Sequence, residues 1–119
     1  MTYEEIVAKV RDIIYDNDLS VLKDYPNHIA VQVNITGEGE GAFYIELKDG
    51  EVYIEPYEYY DRDCKFIVSG ENFIKICDGS LGAVKAFTVG KLKIEGSIDK
   101  ALEFSKIVES VKPSSKKKK

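Results

Sequence analysis

The sequence predicts an α+β domain in which one mainly antiparallel sheet of about five strands is covered by helices on a single face. Apolar residues alternate strictly along consecutive segments, as in Ile29, Val31 and Val33, which is typical of strands with one buried face. Asp49-Gly50 joins two such segments and favours a tight hairpin. After Ser69 the apolar period lengthens to that of a helix. Strands followed by helices indicate the α+β class.

The chain begins with a helix signal. Thr2 and Glu5 have the spacing of a capping box, in which each side chain accepts a hydrogen bond from a backbone amide near the other. The apolar positions that follow recur at helical spacing through about residue 17: Ile6, Val10, Ile13 and Ile14. Because this stripe is narrow, we predict a surface helix with one buried face.

Four strands are predicted next. The first covers residues 29–35 and ends at the glycine- and glutamate-rich turn 37–41. The second has Phe43, Ile45 and Leu47 on one face, and the third carries Val52 and Ile54 before a proline ends it. A fourth follows at Cys64, Phe66 and Val68. Three consecutive strands with short turns predict an antiparallel meander.

Helices and a fifth strand complete the domain. Ser69 can cap a helix that Gly79 ends, and a short helical segment follows at 81–87. Alternation at 91–95 predicts the fifth strand. The last helix begins after Ser97 and runs to about residue 111, since Pro113 prevents its continuation. We assign residues 1–112 to one domain and 113–119 to a disordered lysine-rich tail.

The last helix is unusually apolar. Its apolar positions cover roughly 200° of a helical wheel, about twice what contact with one sheet requires. They are Ile98, Ala101, Leu102, Phe104, Ser105, Ile107, Val108 and Val111. Burial on two sides and the lining of an apolar cavity both explain such an arc, and the pattern does not separate them.

Composition indicates a globular domain and excludes several classes. The chain has 119 residues, 44% hydrophobic and 32% charged, enough for a core. Its net charge is −4, and −8 without the four C-terminal lysines, which argues against nucleic acid as a partner. No apolar run reaches the roughly 20 residues that span a bilayer, and the acidic start lacks the apolar region of a signal peptide. We therefore expect a cytoplasmic protein.

No motif of catalytic chemistry stands out. Cys64 and Cys77 lie in apolar surroundings, which predicts two reduced, buried thiols. His28 is the single histidine and most simply a surface strand residue. The acidic residues at 58–63 lack the spacing of a calcium loop, so a solvated loop is the simpler interpretation. We predict a non-catalytic protein without a cofactor or a metal.

Two features favour weak contacts with partners. Tyr57, Tyr59 and Tyr60 crowd one stretch, which is typical of an exposed strand, of a protein interface or of the mouth of an apolar pocket. The tail ends in four lysines, which are solubilising or make a weak, transient contact with an anionic membrane. Those residues are Lys116, Lys117, Lys118 and Lys119.

Several segments together resemble the sterol carrier protein 2 family of nonspecific lipid-transfer domains. The most specific is AFTVGKLKIEGS at 86–97, similar to the family pattern AF-x-x-GK-[LI]-K-[IV]-x-G before a final helix. FYIELKDG at 43–50, and DCKFIVS at 63–69 followed by Phe73, resemble its strands, and DGSL at 78–81 one of its turns. Lysines replace the peroxisomal signal of many eukaryotic relatives, which indicates a free-standing, prokaryotic-type member.

The resemblance implies a five-stranded sheet whose helices enclose an apolar tunnel for fatty acyl chains, acyl-CoA, phospholipids or sterols. From the inward faces of the strands and helices, and not from family sites, we predict ten lining residues. These are Phe43, Ile45, Val52, Phe66, Phe73, Ile76, Phe87, Leu92, Leu102 and Ser105.

The leading functional hypothesis is a carrier that binds a lipid or another hydrophobic small molecule without chemical change. A second keeps the fold but has the domain hold an isoprenoid or quinone-like intermediate for a partner enzyme that docks at the tyrosines. A third is an enzyme whose acid and base residues meet only in space. A closed domain without a cavity is the fourth.

Overall fold

The computed structural model describes residues 1–17 and 19–111. A short 3₁₀ helix, Ser20–Leu22, lies within the connection from the first helix to the first strand. The described helices and strands are α1 (Tyr3–Tyr15), β1 (Ile29–Thr36), β2 (Gly41–Lys48), β3 (Glu51–Glu55), β4 (Cys64–Ser69), α2 (Gly70–Asp78), α3 (Ala83–Thr88), β5 (Leu92–Gly96) and α4 (Ile98–Val111). Among these helices, none has the length and hydropathy to cross a membrane.

The five strands form one mixed sheet in the order β3-β2-β1-β4-β5. The pairs β1–β2, β2–β3 and β4–β5 are antiparallel, whereas β1 and β4 run parallel. The predicted fold class and the meander of the first three strands are confirmed. The parallel pair arises because the chain crosses from the edge strand β3 to the far side of β1 through residues 56–63.

One face of the sheet is apolar and carries the helices. Val33 of the central strand lies opposite Phe43 in β2 and opposite Phe66 in β4, so the three strands present one continuous apolar surface. α4 contacts β1, β4 and β5, and α1 packs against α2. The Arg11 guanidinium donates to the Ile54 carbonyl at 2.7 and 3.0 Å, which ties α1 to the edge strand β3.

A cluster of phenylalanines fills the centre of this interface. Phe73 of α2 meets Phe43 and Phe66 edge-to-face, with ring centroids 5.9 and 6.5 Å apart. Phe66 meets Phe104 of α4 in the same way at 5.7 Å. All four rings are buried. Offset and edge-to-face contacts of this kind stabilise a core beyond the area they bury.

The residues predicted to cap α1 and α2 do so in the structure. Thr2 and Glu5 make both bonds of the capping box at the start of α1. The Ser69 hydroxyl accepts from the Asn72 amide at the start of α2. Gly79 ends α2 with φ 86°, a left-handed conformation that glycine adopts at little cost.

The hairpin between β2 and β3 supports the connection that follows α1. Asp49 and Gly50 have φ of 54° and 79°, the positive values that a two-residue turn of this kind requires. A Cβ on Gly50 would lie 3.0 Å from the carbonyl oxygen of Lys23. The turn and the connection after α1 are therefore in close backbone contact.

The arc of α4 is buried along only part of its width. Ala101, Phe104 and Val108 are buried. Ile98 and Leu102 are 44% and 42% exposed, so burial of the whole arc on two sides is wrong for these two residues.

Residues 56–63 cover part of the opposite face of the sheet with a polar network. The Tyr59 hydroxyl donates to Glu46 Oε2 at 2.8 Å, and the same oxygen lies 2.6 Å from His28 Nε2. The buried Gln32 Oε1 accepts from the Tyr59 amide and from Arg62. His28 is thus bound to a partner across the sheet, and the network satisfies two buried polar side chains.

The pKa of Tyr59 is raised to about 12, because its hydroxyl donates to Glu46 and because burial disfavours the phenolate. An unfolded tyrosine ionises near pH 10. Between pH 10 and 12 the folded state keeps a proton that the unfolded state loses, so the stability due to this group falls over that window. Between pH 10 and 12 we expect the free energy of unfolding to fall less steeply in Tyr59→Phe than in the unsubstituted protein. Urea unfolding at several pH values measures the difference. Tyr60→Phe is the matched control, because it removes the hydroxyl of a neighbouring tyrosine that is 94% exposed.

The tail at 113–119, with Lys116, Lys117, Lys118 and Lys119, lies outside the described residues. Its predicted disorder and membrane contact stay predictions.

Candidate functional site

A narrow apolar slot lies between the sheet and the C-terminal half of α4. Its volume is about 30 Å³. Every lining residue except one is apolar, which suits a hydrocarbon chain and excludes charge. The slot is lined by Ile14, Asn17, Leu19, Leu22, Ile45, Leu47, Val52, Cys77, Phe104, Ile107 and Val108.

Local sequence explains why these side chains converge. Alternation along β2 directs Ile45 and Leu47 to the face that carries the helices. On α4, Phe104, Ile107 and Val108 follow the spacing of three and four that forms one helical stripe. Leu19 and Leu22, from the connection after α1, complete the lining.

Asn17 is the polar exception. Its amide oxygen Oδ1 is buried and accepts no hydrogen bond from any described residue. The Tyr25 hydroxyl, farther along the same connection, is likewise buried without a described partner. An unsatisfied buried acceptor costs about 1–3 kcal/mol, so a hydroxyl or another donor that entered the slot would recover stability there.

We expect Asn17→Leu to raise the free energy of unfolding by about 1 kcal/mol, because it removes that unsatisfied acceptor. Urea unfolding of the ligand-free protein measures the change. Asn27→Leu is the matched control and should not stabilise, since Asn27 Nδ2 donates to Glu103 Oε2 at 2.8 Å. A loss of stability in Asn17→Leu would show that the oxygen has a partner.

The two thiols are buried, and both favour the neutral form. Burial raises the pKa of Cys64 to about 11. Burial also raises the pKa of Cys77, which lines the slot, well above its ordinary value. The raised pKa values favour the neutral thiol over the nucleophilic thiolate, and Cys77 contributes to the slot as an apolar side chain.

A second small cavity shares one residue with the slot. It also measures about 30 Å³ and is lined by Ile76, Gly79, Leu81, Gly82, Ala83, Ser105, Val108 and Glu109. Val108 lines both spaces, so a smaller side chain at this position would enlarge both.

Two larger depressions flank α1, with volumes of about 520 and 540 Å³. Charged side chains make up most of the first wall, whereas the second combines five charged residues with apolar ones that include Met1, Ile6 and Ile74. A hydrocarbon chain in the first would desolvate charge without compensation, so the first does not suit an apolar ligand. The second, between α1 and α2, is the alternative apolar surface to the slot.

The ten predicted lining residues are distributed over four environments. Ile45 and Val52 line the slot, and Ile76 and Ser105 line the second cavity. Phe43, Phe66, Phe73 and Leu92 are buried in the core.

Phe87 and Leu102 are exposed, so their predicted inward orientation is wrong. Helical spacing identifies an apolar face but not which part of it meets the sheet.

Sequence reasoning missed most of the slot. The lining residues it did not select are Ile14, Asn17, Leu19, Leu22, Leu47, Cys77, Phe104, Ile107 and Val108. Phe104 and Ile107 carried a signal, because they share the apolar arc of α4. No sequence pattern assigned the connection after α1 to the slot, since its placement depends on the contact with the β2–β3 turn.

No cluster of three or more His, Cys, Asp or Glu side chains suited to a metal ion occurs within residues 1–17 and 19–111. In the acidic loop, Asp63 has a structural role. Its carboxylate accepts from the Ala30 amide at 2.8 Å, and its carbonyl accepts from the Ser97 amide at 2.9 Å.

A mixed five-stranded sheet, helices on one face and an apolar slot beneath the last helix define a small α+β domain. A profile of the SCP-2 sterol transfer family matches residues 16–109. The chain therefore belongs to this family, as the sequence resemblance indicated.

Among curated proteins, the chain is 32% identical over 81 residues to sterol carrier protein 2 of Arabidopsis thaliana, covering 65% of this chain and 66% of that protein. It is 29% identical over 108 residues to hydroxysteroid dehydrogenase-like protein 2 of Bos taurus, covering 88% of this chain. The chain spans only 24% of that bovine protein.

Two solved structures have the same fold. Palmitated SCP2L2 from Aedes aegypti aligns with a TM-score of 0.64 at 20% identity, over 91% of this chain and 95% of that one. A ubiquinone synthesis protein, UbiJ-SCP2, aligns with a TM-score of 0.63 at 16% identity, over 90% and 88%. At these identities the likeness shows the fold alone.

Proposed function

We propose that this domain is a non-catalytic carrier that binds the hydrocarbon chain of a lipid in the slot beneath α4. The observation that carries the proposal is the lining, ten apolar side chains with one unsatisfied amide oxygen. Palmitate in the related Aedes structure supports an acyl chain as the kind of ligand.

The slot must widen to accept such a chain. Its volume is about 30 Å³, whereas small-molecule sites measure about 300–1,000 Å³. Widening would require the C-terminal half of α4 and the connection after α1 to move apart. That connection is held by local turns, such as Leu22 N to the Leu19 carbonyl and Tyr25 N to the Leu22 carbonyl. Among the described residues, the exposed Asn27–Glu103 hydrogen bond ties the connection to α4, and opening would break this bond.

Binding in the slot would depend on chain length. Each buried CH₂ contributes about 0.8 kcal/mol, which corresponds to roughly fourfold in affinity. We expect affinity to rise by that factor per carbon and to level off where the widened slot is full. Displacement of a fluorescent polyene fatty acid from delipidated protein, with saturated alcohols and acids of 8 to 18 carbons, measures this series. No uptake of the probe, or affinity independent of chain length, would contradict the proposal.

Head-group chemistry gives a further test of the same site. The lining contains no cation to meet a carboxylate, and Asn17 offers an acceptor for a hydroxyl. At equal chain length we expect the alcohol to bind more tightly than the ionised acid. Asn17→Leu should remove this difference while leaving the dependence on chain length.

A second candidate function is an accessory role, in which the domain holds an isoprenoid or quinone-like intermediate for a partner enzyme. Tyr57 and Tyr60 favour it because they are 64% and 94% exposed, whereas Tyr59 is held in the polar network. The likeness of fold to a ubiquinone synthesis protein also supports it. We expect Tyr57→Ser/Tyr60→Ser to lose a captured enzyme partner and to keep lipid uptake. Retention of the same partners would exclude the tyrosine surface.

A further inference from the structure

The outer face of α3 and the turn after it expose apolar side chains. Ala83 and Ala86 are buried on the inner face of α3, which turns Val84 and Phe87 outward. Val84 is 56% exposed, Phe87 46% and, just beyond the helix, Val89 55%. Such side chains are costly to leave in water unless another surface covers them.

The segment of sequence that contains these apolar residues also contains lysines and lacks acidic residues. From residue 79 to residue 94 the chain has Lys85, Lys91 and Lys93 and no aspartate or glutamate. All three lysines are exposed. In a protein of net charge −4 this segment of sequence is cationic, between Asp78 on one side and Glu95 on the other. In the fold, Glu109 of α4 lines a cavity with Gly82 and Ala83 at the start of α3.

We propose that residues 84–91, the α3 surface, dock this protein on an anionic lipid membrane. Phe87, Val84 and Val89 would enter the boundary between head groups and acyl chains, and Lys85 and Lys91 would meet the anionic head groups. Exposed apolar residues interleaved with lysine along one short segment are the chemistry that such a boundary binds.

The size of the α3 surface favours a membrane over a folded protein. A specific protein interface buries about 800 Å² on each partner and takes in about 20–30 residues. The α3 surface offers eight consecutive residues, five of them apolar or basic and exposed. Interfacial insertion needs only a few side chains because the electrostatic attraction of lysines adds to it.

The docking is separable from lipid uptake. None of the residues at 84–91 lines the slot, so a protein that binds no lipid in the slot would still dock, and the reverse also holds.

Tryptophan fluorescence offers a direct test, because the natural sequence contains no tryptophan. Phe87→Trp and, as a control, Tyr60→Trp each introduce a single reporter at an exposed aromatic position. With vesicles of phosphatidylcholine and phosphatidylglycerol at 3:1, we expect the Phe87→Trp emission to shift to the blue and to be quenched by brominated acyl chains. Tyr60→Trp should do neither. An unshifted, unquenched Phe87→Trp, or equal quenching of both, would overturn the proposal.

Sedimentation with the same vesicles tests the charges. Each lysine near an anionic surface is worth about fivefold in affinity, so Lys85→Gln/Lys91→Gln should weaken binding by about 25-fold. Lys9→Gln/Lys48→Gln, at two exposed lysines elsewhere, is the matched control and should bind like the natural protein. Neutralising Lys116, Lys117, Lys118 and Lys119 in all variants separates the tail from the α3 surface. Equal loss in both lysine pairs would show a nonspecific charge effect and overturn the assignment of the surface.

Discussion

Replacing Phe73 by alanine should lower the free energy of unfolding by about 3–5 kcal/mol. Phe73 is fully buried and its ring is packed edge-to-face between Phe43 and Phe66. Truncation removes apolar surface from the core and leaves a cavity that a sheet on one side and helices on the other cannot fill by relaxation. The loss is a large part of the roughly 5–15 kcal/mol that stabilises a domain. Urea unfolding followed by circular dichroism measures it.

Phe87→Ala is the matched control for this prediction. Both phenylalanines were expected at inward positions, but Phe87 is 46% exposed. Its truncation should cost less than about 1 kcal/mol, in the range of surface substitutions. Equal losses at the two positions would contradict the division between core and surface described here.

The second large effect concerns uptake of the ligand. We expect Ile107→Trp to reduce binding of a C16 chain by at least tenfold, because the larger side chain would occupy the slot. Ile107 is partly buried at the wall of the slot, so an indole can also reach solvent and the fold should tolerate it. Displacement of the fluorescent fatty acid gives the affinity, and circular dichroism verifies the fold.

Leu102→Trp is the control on the same helix. Leu102 is 42% exposed and does not line the slot, so its replacement should leave affinity within about twofold. The reverse result, with uptake lost in Leu102→Trp and kept in Ile107→Trp, would place the ligand on the outer side of α4.

Much of the fold could be predicted from the sequence because residues close together in the chain determine it. Alternation in β1 and β2, the Asp49-Gly50 turn, the Thr2–Glu5 capping box and Gly79 each act over a few residues, and the structure has each as expected. The segment at 86–97 indicated the family, which the family match confirms.

The parallel pairing of β1 with β4 could not be predicted from the sequence. The register that places Val33 opposite Phe66 depends on where residues 56–63 lead the chain, and no local pattern encodes that path. The polar network of Tyr59, Glu46 and Gln32 anchors this crossing. In the sequence, Tyr59 was indistinguishable from its exposed neighbours Tyr57 and Tyr60.

Only part of the candidate site could be predicted from the sequence, for a related reason. Ile45 and Val52 follow from strand alternation. Leu22 and Asn17 come from a connection without regular alternation, whose position is set by tertiary contacts. On α4 the apolar arc is wider than the buried stripe, so Leu102 and Ile107 were equivalent by pattern and differ only in the folded chain.

The central claim is that an acyl chain enters the slot beneath α4. Methyl-labelled isoleucine, leucine and valine spectra of delipidated protein, recorded with and without a spin-labelled C16 chain, test it most directly. We expect broadening of the methyl signals of Ile14, Ile45, Val52 and Ile107, with Val84 and Val89 unaffected. Broadening confined to Ile6 and Ile74 in the groove between α1 and α2, or to the surface methyl groups, would contradict it.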